Sequence, residues 1–351
     1  MIITAAEVWS VEMLLSEPYD IAYENVDKTV NIFLRLETDH GIVGYGCAAP
    51  DEKVTGETPD KVLSVINEII VPSIMKADPL RSSMLLEALK GKLKGYPSAM
   101  ALLDMSLYDI LGKTCNIPVW KMLGGFRDCI KTSVTIGILP VNETLERARY
   151  WIEKGFNCLK MKGGTDVDSD IERVRKVREI VGENTEIRFD ANQGFSVIDS
   201  IKFFEETKKS KIEMLEQPTK RDEHDKLKCV TKGVNIPVMA DESLVTLRDA
   251  FRIARHELCD MVNIKLMKVG GISEALKINA VARSAGLEVM VGCMDESALG
   301  IAAGLHFALS CPNVMYADLD GHLSLLDDPF KDSVLIKDGK LYPTEKPGLG
   351  I

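Results

Sequence analysis

The first third of the chain shows two different patterns of hydrophobic and polar residues. Residues 2–15 and 29–37 alternate between apolar and polar side chains, which is typical of strands with one buried face. Residues 41–46 are rich in glycine and predict a turn after these strands. Beyond Thr58, apolar residues recur at positions i, i+3, i+4 and i+7 in three segments, which predicts three amphipathic helices. We therefore expect an α+β domain over residues 1–125.

A regular alternation of a different kind follows. Short apolar and β-branched runs alternate with amphipathic helical segments through residues 126–321. Eight strand candidates lie roughly 25 residues apart, each followed by a helical segment, which is the pattern of a (β/α)₈ barrel. A doubly wound open sheet is the alternative, but eight regular units fit a closed barrel better. Residues 322–351 have hairpin and loop character, and we expect them to return to the first domain and complete it.

The composition narrows the class of protein. Hydrophobic residues make up 46% of the chain and charged residues 27%, the balance of a globular protein with a large core. The formal net charge of −10 repels nucleic-acid phosphates and anionic lipids, so we expect neither as a partner. No apolar run approaches the ~20 residues of a membrane span. The eight scattered cysteines contain no CxxC pair, which indicates free thiols in a reducing, cytoplasmic compartment.

Charged residues stand at the carboxyl ends of the predicted barrel strands, where catalytic groups lie in such barrels. Asp190, Glu216 and Asp241 end strands 3, 4 and 5 at intervals of 26 and 25 residues. Carboxylates on three neighbouring strands would converge at the barrel mouth and bind a hard cation, Mg²⁺ first and Mn²⁺ second. The alternative is that each residue only caps the following helix. The regular spacing favours the metal site.

Two lysines indicate the type of reaction. Lys162 ends strand 2 and Lys265 ends strand 6, so their amines should face each other across the mouth with the metal ligands between them. One amine could remove the α-proton of a carboxylate substrate and the other return a proton to the opposite face, through a metal-stabilised enediolate. We expect the charge of Lys160 to lower the pKa of Lys162. The alternative, two unrelated surface lysines, is disfavoured by the segments KMKGG and NIKLMKVGG.

Strand 8 carries a pair of acids. Asp318 and Asp320 are two residues apart, so both side chains can project into the barrel mouth, opposite the metal ligands. Two carboxylates there would bind a cation, most naturally an α-ammonium group. A merely polar barrel rim is the alternative.

These residues and motifs resemble those of the enolase superfamily, in its muconate-lactonizing-enzyme subgroup, and within it the dipeptide epimerases. The resemblance covers nearly the whole chain through the segments YGCAAP, ALLDMSLYDILGK, LKMK, RFDANQGF, EQP, ADES, NIKLMKVGG, GCMDES and YADLDG. It implies a modified (β/α)₈ TIM barrel whose α+β capping domain closes over the site. It also implies an Mg²⁺-dependent isomerase that inverts the C-terminal residue of a dipeptide, and superfamily members are often homo-oligomers.

The acid pair narrows the resemblance to dipeptides, because the dipeptide epimerases hold the substrate's ammonium group at such a pair. The substrate-binding set that we expect is therefore Asp318, Asp320, Thr135, Asp295 and Glu24. Glu24 aligns with the arginine that recognises glutamate in the Ala-Glu epimerases. With Asp295, and with Glu57 or Asp51, it would form an acidic pocket that prefers cationic or neutral dipeptides over Ala-Glu.

Other reactions on the same scaffold are alternatives. They are the reactions of o-succinylbenzoate synthase, N-acylamino acid racemase and muconate cycloisomerase. Their substrates lack a free ammonium group, so Asp318 and Asp320 count against them.

Overall fold

A three-stranded antiparallel sheet begins the chain. The computed structural model describes residues 1–21 and 24–351, with the side chains of residues 20–25 outside that description. Strands β1 (Ile3–Ile21), β2 (Glu24–Thr38) and β3 (Val43–Ala48) follow one another in the sheet. Alternating residues of β2 face the core, so Ile32, Leu34 and Leu36 pack against the helices of the same domain.

Of the three glycines in the predicted turn, Gly41 lies in the turn, but the other two lie in a strand. The chain reverses over residues 39–42, while Gly44 and Gly46 lie within β3. A Cβ atom on Gly46 would lie 1.9 Å from the carbonyl oxygen of Leu102. The glycines are needed because a helix packs directly on the backbone of this strand.

Six helical segments follow the sheet in the chain. They are α1 (Pro59–Val65), a π-helical turn (Ile66–Ile70), α2 (Val71–Ile74), α3 (Ser82–Lys90), α4 (Pro97–Cys115) and α5 (Val119–Met122). The first three segments are continuous and together form the first predicted helix. The second and third predicted helices are α3 and α4. Helices α1 and α4 pack against the sheet. Helix α4 is buried over most of its surface because it lies between the sheet and the second domain.

The second domain is a parallel barrel of eight strands. They are β5 (Val134–Ile136), β6 (Cys158–Lys162), β7 (Glu186–Asp190), β8 (Ile212–Glu216), β9 (Val238–Ala240), β10 (Met261–Lys265), β11 (Glu288–Gly292) and β12 (Val314–Asp318), after the short β4 (Ile130–Lys131). Neighbours in the barrel are neighbours in the chain. The barrel closes where the Ser133 N–H donates to the Ala317 carbonyl at 3.1 Å. The predicted barrel with an α+β capping domain is confirmed.

Helices alternate with the barrel strands. They are α6 (Val141–Glu153), α7 (Val167–Val181), α8 (Val197–Thr207), α9 (His224–Gly233), α10 (Leu247–His256), α11 (Leu266–Val269), α12 (Ile272–Ser284) and α13 (Ala298–Ser310), with a 3₁₀ turn at Lys208–Ser210. Helices α8 and α10 begin with capping boxes at Ser196 and Thr246. Among the described helices, none is long and apolar enough to cross a membrane.

The segment after the barrel contacts both domains. Its hairpin, β13 (Val334–Lys337) and β14 (Lys340–Pro343), pairs with β4. The Leu349 N–H donates to the Asp109 carboxylate of α4 at 2.8 Å. Nearer the barrel, the Ser16 N–H of β1 donates to the Ser324 carbonyl at 2.7 Å.

Replacing Gly46 by alanine tests the packing of α4 on β3. We expect Gly46→Ala to lower the free energy of unfolding by about 1–3 kcal/mol, because its methyl group meets helix backbone. Gly91→Ala is the control, since a Cβ there meets nothing within 4 Å and the backbone is right-handed. Urea denaturation followed by circular dichroism measures both. Equal stability of the two variants would contradict the packing argument.

Candidate active site

A cavity of about 680 Å³ opens at the carboxyl ends of the barrel strands. The barrel contributes Lys162, Lys265 and Asp320 to its lining, and the capping domain contributes Tyr19 and Asp51. Because both domains line it, the cavity lies where a ligand can contact the catalytic ends of the strands and the capping domain together.

Three buried carboxylates converge at the carboxyl ends of the barrel strands, and one of them, Asp241, lines this cavity. Asp190 and Glu216 end β7 and β8, and Asp241 directly follows β9. Each offers an oxygen within 4.8 Å of the others, and none is more than 2% exposed. An all-oxygen set of this kind fits Mg²⁺, because hard cations prefer carboxylate ligands. We call these three residues the carboxylate cluster.

Mutual repulsion and nearby lysines set the charge of the cluster. Burial and the charge of Asp190 raise the pKa of Glu216 to about 7. Burial also acts to raise the pKa of Asp241, but the charges of Lys265 and Lys268 outweigh it and hold that pKa below its usual value. The cluster therefore depends on cations to remain ionised.

The two lysines predicted to transfer protons flank the cluster. Lys162 Nζ lies 2.7 Å from Asp190 Oδ2, and Lys265 Nζ lies 2.9 Å from Asp241 Oδ2. Their strands, β6 and β10, are separated by three strands, so the amines approach from different sides of the mouth. Burial alone would lower the pKa of Lys265. The charge of Asp241 outweighs burial and raises this pKa above its usual value.

Lys160 lies one inward position deeper than Lys162 and joins two groups of acids. Its Nζ is 2.8 Å from Glu216 Oε2 and 2.8 Å from Asp318 Oδ2. Asp190 Oδ2 is also within 3.2 Å. Burial acts to lower its pKa, but these acids raise it well above the usual value. These three carboxylates compensate the positive charge of Lys160. The expected effect of Lys160 on Lys162 stays a prediction.

Asp318 ends β12 and Asp320 follows it by two residues, and the two acids differ in their partners. Asp318 accepts hydrogen bonds on both oxygens, from Ser133 Oγ at 2.7 Å and from Lys160. Asp320 Oδ2 accepts one from the Thr135 N–H at 2.5 Å. Burial acts to raise both pKa values. At Asp318 the charge of Lys160 outweighs burial and holds the pKa at about 2. At Asp320 the charge of Asp318 adds to burial, and the pKa rises to about 6.

Asp295 reaches the cavity from the loop after β11. Its Oδ2 accepts a hydrogen bond from the Tyr19 hydroxyl at 2.9 Å, and burial raises its pKa. Asp51 also lines the cavity, although its Oδ1 accepts from backbone N–H groups of its own turn. These two acids face the same cavity as the lysines.

Glu57 does not belong to this acidic pocket, and its predicted alternative role is wrong. Its side chain is fully buried and accepts hydrogen bonds from the N–H groups of Ser98 and Ala99 at 3.0 and 3.3 Å. It caps the amino end of α4, where carboxylates interact favourably with the free N–H groups. The side chain of Glu24 lies outside the described residues.

Sequence reasoning missed several groups that hold the cluster. Lys268 Nζ donates to the Asp241 carbonyl at 2.5 Å and to its carboxylate. Asn263 Nδ2 donates to Glu216 Oε1 at 2.7 Å. The period of two along a strand could have identified Asn263, which stands two residues before Lys265. Lys268 follows the same lysine by one helical turn.

Comparisons with known proteins agree with this architecture. The family model "Mandelate racemase / muconate lactonizing enzyme, N-terminal domain" matches residues 3–124, and "Enolase C-terminal domain-like" matches residues 143–351. An L-Lys-D/L-Arg epimerase of Desulforapulum autotrophicum is 38% identical over 98% of this chain and 97% of its own.

Solved structures match over the full chain as well. A substrate-liganded complex of the L-Ala-D/L-Glu epimerase from Bacillus subtilis has a TM-score of 0.97 and 36% identity, covering 100% of this chain and 99% of that one. The dipeptide epimerase of Methylococcus capsulatus, complexed with Mg and L-Arg-D-Lys, has a TM-score of 0.95, 36% identity and the same coverage. The chain therefore belongs to the mandelate racemase/muconate lactonizing enzyme family of the enolase superfamily.

Proposed function

We propose that this protein is an Mg²⁺-dependent dipeptide epimerase that inverts the α-carbon of the C-terminal residue. The observation that carries the proposal is a pair of lysines, Lys162 and Lys265, on either side of a buried carboxylate cluster. A separate pair of acids, Asp318 at the end of β12 and Asp320 two residues beyond it, lines the same cavity. The dipeptide epimerases among the relatives, and the Mg in their complexes, support the assignment.

The two amines perform the proton transfer. A substrate whose carboxylate lies at the cluster has its α-carbon between Lys162 and Lys265, which approach from different sides of the barrel mouth. The neutral lysine removes the α-proton from one face, and the protonated lysine donates a proton to the other, so the configuration inverts. Mg²⁺ held by Asp190, Glu216 and Asp241 would supply positive charge against the negative charge that develops on the carboxylate.

Asp318 and Asp320 define where the amino end of the substrate binds. Asp318 and Asp320 present negative charge in the cavity, which complements an ammonium group and disfavours a blocked amine. This arrangement supports a dipeptide with a free amino terminus over the substrates of the lyase alternatives.

The rest of the cavity favours cationic or neutral side chains. Apart from Lys162, Lys265, Asp241, Asp318 and Asp320, the charged groups that line the cavity among the described residues are mostly acidic. The acidic residues are Glu17, Asp51, Glu143, Glu146, Glu242 and Asp295, and the one further basic residue is Arg147. Arg147 already forms an ion pair with Glu17. An acidic substrate side chain such as that of Ala-Glu would meet repulsion here.

Removing either lysine tests the proton-transfer roles. We expect Lys162→Ala and Lys265→Ala each to reduce epimerisation by roughly 10²–10⁴-fold or more, because each face loses its acid or base. Proton NMR in D₂O measures loss of the α-proton signal and appearance of the diastereomer. Any residual exchange should be confined to one epimer.

Two controls accompany these variants. Mg²⁺ binding, measured by calorimetry, should persist in both, and the surface variant Lys202→Ala should keep wild-type turnover, because that lysine is paired with Asp168 away from the cavity. Full turnover in either active-site variant would refute the two-base mechanism.

A panel of L,L-dipeptides tests the proposed preference. We expect kcat/KM for dipeptides that contain Lys or Arg to exceed that for L-Ala-L-Glu by about tenfold or more, since the lining is acidic. Asp295→Asn keeps an acceptor for the Tyr19 hydroxyl but removes the charge, so it should narrow this difference. A wild-type enzyme faster on L-Ala-L-Glu would overturn the preference. Activity on N-acyl amino acids alone would overturn the dipeptide assignment.

A further inference from the structure

A buried arginine lies inside the barrel, beneath the active site. Arg188 precedes Asp190 by two residues on β7, and only 2% of it is exposed. Its Nε donates to Glu213 Oε2 at 2.8 Å. The neighbouring layer of the barrel is otherwise formed by methionines with Tyr316, namely Met214, Met239, Met261 and Met290. A charge in such surroundings is costly unless hydrogen bonds compensate it.

The guanidinium group contacts the end of β12 at successive residues. Its carbon lies 5.2 Å from the centre of the Tyr316 ring. Nη1 donates to the Ala317 carbonyl at 2.9 Å and lies 3.4 Å from Ser133 Oγ. Ser133 Oγ in turn donates to Asp318 Oδ1 at 2.7 Å. A single cation on β7 therefore contacts the strand that ends at Asp318, the first acid of the pair.

The two oxygens of Asp318 are held by different partners. Lys160 binds Oδ2 and at the same time binds Glu216 of the carboxylate cluster. Ser133 holds Oδ1 on the side of Arg188. Without the second contact, the carboxylate is free to turn with Lys160 towards the cluster and away from Asp320. Two-point fixation of this kind preorganises a charged group for its ligand.

We propose that Arg188 and Ser133 are positioning residues for recognition of the substrate's ammonium group, which they serve by orienting Asp318 beside Asp320. The inference rests on the proposed function, because it assumes that the acid pair receives the amino terminus of a dipeptide. It extends that function to residues that contact neither the substrate nor the metal ligands.

The test measures ammonium recognition directly. The probe is L-alanyl-2-aminoisobutyrate, which lacks an α-hydrogen on its C-terminal residue, and the comparison ligand is its N-acetyl derivative. Calorimetry in the presence of Mg²⁺ gives the ratio of the two dissociation constants for each variant. The wild type should bind the free amine at least about tenfold more tightly.

The variants are Ser133→Ala and Arg188→Met, and Arg178→Met is the control. Arg178 is also buried, but it donates to the carbonyls of Ser210 and Thr185 outside the barrel interior. We expect the ratio to fall at least about fivefold in the first two variants and to stay at the wild-type value in the control. With a reactive dipeptide, Ser133→Ala should raise KM while kcat stays within about threefold.

The outcomes separate the two proposals. A folded Ser133→Ala enzyme with the wild-type ratio and KM overturns the positioning role, and this small change decides the matter even if Arg188→Met does not fold. A wild type that shows no preference for the free amine and epimerises no dipeptide overturns the proposed function itself. A ratio that falls equally in Arg178→Met would show a general structural effect and overturn the positioning role.

Discussion

Repulsion between buried carboxylates is the constraint on which the barrel mouth depends. Asp190, Glu216 and Asp241 lie close together with almost no exposure to water, so each acts to raise the pKa of its neighbours. Lys265 of β10, Lys268 of the following helix α11 and Lys160 of β6 compensate these charges. Because the compensating groups come from different strands, the charge balance exists only in the closed barrel.

The same constraint explains why the interior below the mouth is polar on one side. Lys160 joins the carboxylate cluster to Asp318, and Asp318 is joined through Ser133 to the buried Arg188. Acids and bases therefore alternate from the carboxylate cluster down to Glu213. On the other side, methionines fill the interior and need no partners.

The regular features of the sequence predicted the fold, while partners of individual side chains required the structure. Strand spacing and strand-end charges indicated the barrel and the residues that meet at its mouth. The glycines of β3 were misread as a turn because only packing against Leu102 distinguishes the two. Glu57 was predicted as an alternative member of the acidic pocket, although its carboxylate caps the amino end of α4. Local pattern is set by backbone periodicity, whereas these contacts depend on residues distant in the chain.

The contacts between the two domains separate the cavity residues of the capping sheet from the lysines proposed to transfer protons. Asn31 on β2 accepts a hydrogen bond from the Ser297 N–H and donates one to the Asp295 carbonyl, so the capping sheet is anchored to the loop after β11. Tyr19, nearer the tip of the same sheet, faces the cavity. Residues at the tip can therefore diverge while the anchor and the lysines stay unchanged. Under the proposed mechanism, the accepted side chain can change in evolution while Lys162 and Lys265 are kept, and the different dipeptides named for the relatives are consistent with that freedom.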